Sequence, residues 1–298
     1  MNGPRPTCDA TPAPPLTPGA CAALACLWEV TAPKPGNIYR GADFDDATFA
    51  DFLTSAAVIA PSIDRVAELG VGRAIYEGVA ATRRAVGPCN TNLGILLLLA
   101  PLAAVHRDLS LAEGISTALD GLSAADSQHV YAAIRLAAPG GLGRVDDADV
   151  SDEAPDAPLR QLMQLAADRD LIAAQYVNNF AEVFATADRL AAHATQSALA
   201  DAIVRAFLEL LRDHPDSLIA RKCGLATARQ ASGAAASLLD AAHDEQTFRA
   251  LLADFDFWLR SDGHRLNPGT SADIVAAALF VLLREQRLDW PVRFYARA

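Results

Sequence analysis

The sequence predicts an all-α protein, a single compact multi-helix domain with buried central helices. Three observations carry that expectation. The chain is 52% hydrophobic but only 6% aromatic, and it is rich in alanine; close-packed helices use such residues, whereas sheets favour β-branched and aromatic ones. Apolar residues recur at helical spacing along most of the chain. Two runs, 95–105 and 274–283, are apolar on every side, the pattern of helices that lie inside a core. A length of 298 residues allows one or two domains. We expect one, an all-helical domain over 19–290 preceded by a disordered Pro-rich tail over 1–18.

In chain order, residues 20–31 form the first helix and deliver Glu29 to the lip of a polar loop. The second helix spans about 47–60 and stops at Pro61-Ser62. A third, 63–86, carries Glu77 past its centre and ends at Gly87-Pro88, residues that close helices. Asn90 or Thr91 would cap the apolar helix that follows, and a buried helix start equally offers free N–H groups to an anion. Residues 110–119 and 123–137 are two further helices. The second has a capping-box variant that gives Asp126 a structural role.

The Gly-, Pro- and Asp-rich stretch over 139–158 is expected to be an exposed loop or flap. Gly140 to Gly143 could cradle phosphate only between a strand and a helix, and neither is evident. Residues 170–194 read as one long helix with Asn178-Asn179 inside it, where asparagine is unfavourable unless a ligand or buried partner uses it. Helices over 197–212, 226–242 and 247–260 follow. Asp216-Ser217 caps a short polar segment bearing Arg221 and Lys222, for which solvated surface charge is the default. The last helix, 274–283, is capped by Ser271 or Thr270, with Asp273 in its first turn.

Net charge is −11 with a pI near 4.9 and no basic run, which argues against a nucleic-acid partner. The longest apolar run is far short of the ~20 residues that span a bilayer, so no membrane partner is expected. Five cysteines without C-x-x-C or zinc-ligand spacing suggest reduced thiols and a cytoplasmic location. The histidines are dispersed and receive no role. Ala-rich helices with broad apolar faces make a homodimer plausible.

The densest polar chemistry lies over residues 29–46. Pro33-Lys34-Pro35-Gly36 gives Lys34 a stiff, extended mounting, followed by Asn37, Arg40 and the cluster Asp43, Asp45 and Asp46. Such carboxylates repel one another unless a cation intervenes, and magnesium is commonly held by one or two carboxylates plus substrate phosphates. The same residues would serve as a solvated turn in which Asp46 or Thr48 caps the next helix. Of the 25 basic residues only Lys34 and Lys222 are lysine, which suggests a need for a compact ammonium at both places.

Together, Glu29 with Pro33-Lys34-Pro35-Gly36, Gly41 to Asp46, Glu77 ahead of Asn90-Thr91-Asn92-Leu93-Gly94, and Asn267 to Asp273 resemble the triphosphoribosyl-dephospho-coenzyme A synthase family. The resemblance runs over 20–283. It implies an all-helical, catalytic transferase that breaks the N-glycosidic bond of ATP, releases adenine, and joins the triphosphorylated ribose to a hydroxyl of dephospho-coenzyme A. On that resemblance, Lys34, Pro35, Gly36, Asn37, Arg40, Asn90, Thr91, Asn92, Gly94, Arg221, Lys222, Asn267, Gly269 and Ser271 bind substrate. Asp43, Asp45 and Asp46 are the catalytic candidates, and Glu29, Asp45, Asp46 and Glu77 the magnesium ligands.

Two departures point to a divergent paralogue. The family has histidine where this chain has Asp43, and Asn-Thr-His-Lys-Gly where it has Asn90 to Gly94. One alternative is therefore a different phosphorylated or pterin-like substrate in the making of a tetrahydromethanopterin-type one-carbon carrier. Another is a non-catalytic helical binding protein.

Overall fold

A computed structural model describes residues 15–138, 156–241 and 243–296. The expected flap lies mostly outside them, as do residues 1–14 of the expected tail. Among the described residues there are fifteen helices and no strand. They are α1 (Pro18–Thr31), α2 (Phe49–Asp64), α3 (Val66–Leu69), α4 (Val71–Val86), α5 (Leu93–Ala104), α6 (Leu111–Asp120), α7 (Ala124–Ala137) and α8 (Leu159–Gln164), then α9 (Leu171–Asn178), α10 (Ala181–Ala194), α11 (Leu199–Asp213), α12 (Ser217–Cys223), α13 (Leu225–Ala241), α14 (Glu245–Leu259) and α15 (Gly269–Arg284). The all-α expectation holds, and among the described residues no helix is long and apolar enough to cross a membrane.

The two apolar runs form the centre. In α5, Leu93 and every residue from Ile95 to Leu102 are buried; in α15, every residue from Ile274 to Leu283 is. Helix α15 packs against α1, α5, α10 and α11, while α4 covers another side of α5. Each large aliphatic side chain so enclosed stabilises by about 1.5–3 kcal/mol. Both central helices begin at a polar surface, and their starts are thereby fixed by the core.

Three helix boundaries differ from expectation, each for a local reason. Helix α2 runs through Pro61 to Asp64, whose carboxylate accepts from Gly19 N at 2.7 Å and from Thr17 Oγ1 at 3.2 Å. Those bonds tie its last turn to the start of α1. The expected helix over 63–86 is broken by Gly70 at φ 80°, a conformation glycine adopts freely. The expected helix over 170–194 is broken at Asn179 and Phe180, both left-handed (φ 56° and 64°). Asn178 Oδ1 accepts from Ala181 N at 3.1 Å, and the buried Gln175 Oε1 accepts from Glu182 N and Val183 N. The asparagine pair is thus the joint between two helices, which answers why it stands where a helix interior was expected.

Candidate active site

The separated polar segments meet at one place. The loop after α1, the turn before α5, the segment before α9 and the starts of α12 and α15 border a cavity of about 1170 Å³. Four helix N-termini open on it, and their partial positive charge favours an anionic guest. Its other end is apolar, built from Val130, Tyr131 and Ile134 of α7 and Leu159, Leu162 and Met163 of α8. Pockets for one small ligand run to about 1,000 Å³. This cavity is at the upper end of that range.

A few side chains lock the helix starts together. Asp216, fully buried, accepts through Oδ1 from Leu218 N (2.9 Å) and Ile219 N (3.1 Å). Its Oδ2 accepts from Ser271 N and Ser271 Oγ, both at 2.8 Å. One carboxylate therefore caps α12 and holds the first turn of α15. Burial raises its pKa and these four bonds lower it, burial having the larger effect. Ser217 Oγ donates to Thr270 Oγ1 at 3.0 Å and accepts from Leu171 N at 3.3 Å, which adds α9 to the junction. The expected capping by Thr270 or Ser271 is accordingly replaced: Pro268 precedes α15, and both hydroxyls point into this network.

The Lys34 loop is held from behind the cavity wall. Lys34 is fully buried, and its ammonium lies 2.8 Å from Glu29 Oε1 while donating to the carbonyls of Glu29 and Ala32 (3.3 Å to the latter). The rigid Pro-Lys-Pro mounting is present, but it turns the side chain back under the C-terminal end of α1, where a cation suits the helix dipole. Glu29 lines the cavity; Lys34, Pro35, Gly36 and Arg40 do not. Asn37 does, and its Oδ1 accepts from Asn267 Nδ2 at 3.1 Å, while the same Nδ2 donates to Gly36 O at 2.9 Å. The Pro35-Gly36 and Pro268-Gly269 loops are joined by that amide.

Asp256 and Arg260 brace the loop from α14. Asp256 accepts from Gly36 N (2.7 Å) and Tyr39 OH (3.2 Å), and Arg260 reaches the Asn37 carbonyl. Nothing in the spacing of α14 marked these two.

The aspartate cluster does not converge. Asp43 Oδ1 accepts from Phe49 N at 2.6 Å and so serves the start of α2, while Asp45 is exposed and away from the cavity. Asp46 alone lines it, 3.6 Å from Nε2 of His264, whose ring stacks on Phe44. Glu77 is on the surface of α4, paired with Arg73 at 3.0 Å and Arg65 at 3.5 Å. As a set, Glu29, Asp45, Asp46 and Glu77 do not fit one magnesium ion. Among the described residues no three His, Cys, Asp or Glu side chains gather closely enough to hold a metal.

The turn before α5 is partly structural. Asn90 Oδ1 accepts from Leu93 N at 3.2 Å, Thr91 bonds Ser55 at 2.6 Å, and Asn92 Nδ2 donates to Thr82 Oγ1 at 2.9 Å. Asn90, Thr91, Asn92 and Gly94 all line the cavity, as do Asn267 and Gly269, whereas Ser271 sits behind it. Arg221 and Lys222 face in from α12. Arg221 Nη1 is 3.4 Å from Asp170 Oδ2, and its Nε is buried without a partner. Lys222 is half-buried, and desolvation together with the Arg221 charge lowers its pKa.

Sequence reasoning gave no site role to Asp170, Asp273, His214 or His264, all of which line the cavity. Asp170 had a detectable signal, an aspartate at a helix start; its Oδ1 caps α9 through Ile172 N and Ala173 N. The histidines had none.

The CitG family model, described as ATP:dephospho-CoA triphosphoribosyl transferase, matches residues 15–292. A solved structure described as a triphosphoribosyl-dephospho-CoA synthase from Archaeoglobus fulgidus is 27% identical, with a TM-score of 0.61 over 78% of this chain and 98% of that one. No protein of curated function matches. A match spanning the core helices and every segment around the cavity leaves a plain conclusion: the chain belongs to the ATP:dephospho-CoA triphosphoribosyl transferase family.

Proposed function

We propose that this transferase binds ATP and a dephospho-coenzyme A-like acceptor in the single cavity, cleaves the bond between ribose and adenine, and transfers the triphosphorylated ribose to an acceptor hydroxyl. The observation that carries the reading is the pair Arg221 and Lys222. Two cations share one wall of the cavity, and among the described residues the ion pair of Arg221 with Asp170 is the one direct contact that either makes with an acid. An anion as strong as a triphosphate supplies what they lack. The amides at the start of α5 add to that side, and Asn37, Asn90, Asn92 and Asn267 offer neutral hydrogen bonds to ribose and base. The apolar end between α7 and α8 suits the less polar part of the acceptor. An oxocarbenium-like ribose gains from carboxylates across the cavity. A cytoplasmic location goes with a consumer of ATP and a coenzyme A precursor.

A second reading keeps the reaction and changes the acceptor, to a different phosphorylated or pterin-like molecule. It is favoured by the start of α5, where Asn92 is held by Thr82 and the buried Leu93 stands beside it. No cation reaches the cavity from those two positions.

Incubating the protein with ATP and dephospho-coenzyme A, with and without magnesium, and measuring free adenine by chromatography tests the first reading. Adenine and a triphosphoribosylated acceptor are expected in equal amounts. Adenine release only with another acceptor selects the second reading, and none with any acceptor overturns both.

A further inference from the structure

Among the described residues, one carboxylate on the cavity wall has neither a hydrogen-bond nor an ion-pair partner. Asp273 stands in the first turn of α15 on the cavity wall. Its Oδ2 lies so close to α5 that a Cβ on Gly94 would be 2.0 Å from it. The approach exists only because residue 94 has no side chain. Four charged groups face it: Glu29 from α1, Asp170 ahead of α9, Asp216 ahead of α12, and Arg221 from α12. The three acids are engaged elsewhere, Glu29 by Lys34, Asp170 by two amides and Arg221, and Asp216 by its four hydrogen bonds. Asp273 packs against Gly94 on the cavity wall and, among the described residues, has no hydrogen-bond or ion-pair partner.

We propose that Asp273 is the catalytic residue that takes the proton from the acceptor hydroxyl as that oxygen attacks C1′ of the ATP ribose. The O–H bond breaks and its electron pair forms the O–C1′ bond. The bond from C1′ to the adenine nitrogen breaks, its pair leaves on adenine, and adenine takes a proton from water while Asp273 releases its own to water. The inference rests on the transferase reading above. Burial and the charges of Glu29, Asp216 and Asp170 raise the Asp273 carboxyl well above its ordinary range, with Arg221 opposing. A carboxylate whose proton affinity is raised accepts a proton more readily than an ordinary one.

Asp273→Asn and Asp273→Ser in the full chain test the assignment. With ATP and dephospho-coenzyme A, kcat for adenine release is expected to fall by about 10²–10⁴-fold. The KM for ATP is expected to stay within about threefold, and Tm to stay level or rise, since a buried acid without a hydrogen-bond partner is removed. Any residual activity should lose the acid limb of the wild-type kcat profile against pH. A kcat within about threefold of wild type in either variant overturns the proposal, as does a kcat loss matched by weaker ATP binding and a lower Tm. A wild type that releases no adenine with any acceptor sinks the transferase reading itself, a result distinct from active wild type with active variants.

Discussion

The two lysines of this chain sit in opposite surroundings. Lys34 lies behind the wall, fully buried, with an ion pair and two carbonyls around its ammonium. Lys222 lies in the wall, half-buried beside another cation, with its pKa pushed down. The same contrast separates Asp216, which accepts four hydrogen bonds, from Asp273, which lines the cavity and has no hydrogen-bond partner among the described residues. Burial alone does not distinguish scaffold from chemistry. What does is whether the protein itself satisfies the charge, because an unsatisfied charge in a partly buried site gains most from a ligand.

That contrast can be broken at three points, in order of expected effect. Lys34→Met should cost about 3–5 kcal/mol of stability, the scale for removing one partner of a buried ion pair. Denaturant unfolding measures it, and adding Glu29→Gln should recover part of the loss. A Lys34→Met protein of unchanged stability with a raised KM for ATP would instead put Lys34 on the substrate. Asp216→Asn should cost about 2–3 kcal/mol, because an amide cannot accept at both ends and leaves donors of α12 or α15 unpaired. It reads as a Tm lower by several degrees. Lys222→Met should leave Tm level or slightly raised, while ATP binding by calorimetry weakens about 10–100-fold, the worth of a hydrogen bond to a charged group. A fall in Tm with unchanged binding would move Lys222 to the scaffold side.

Much of the fold was legible in the sequence, and part of the site. The all-round apolar character of α5 and α15 identified both central helices, and the capping box of α7 is where Ser123 puts it. The breaks at Gly70 and Asn179 were hidden because apolar periodicity runs across them. The Lys34 loop, the turn before α5 and the Asn267 loop were recognisable as polar segments that belong together, and they do border one cavity. Individual roles were not readable. Composition cannot tell that Lys34 turns back under α1, nor that Asp43 serves α2 while Asp46 reaches the rim. Asp273 looked like an ordinary first-turn acid, and only its packing against Gly94 sets it apart.

Helix α15 is at once the most enclosed element of the molecule and the floor on which substrates would rest. Its depth ties ligand preference to interior packing, so a new acceptor cannot be accommodated by lengthening surface loops alone. Attempts to redirect the enzyme should begin with residues such as Ala272 and Ile172, and each gain in breadth there will be drawn from the same contacts that keep the chain folded.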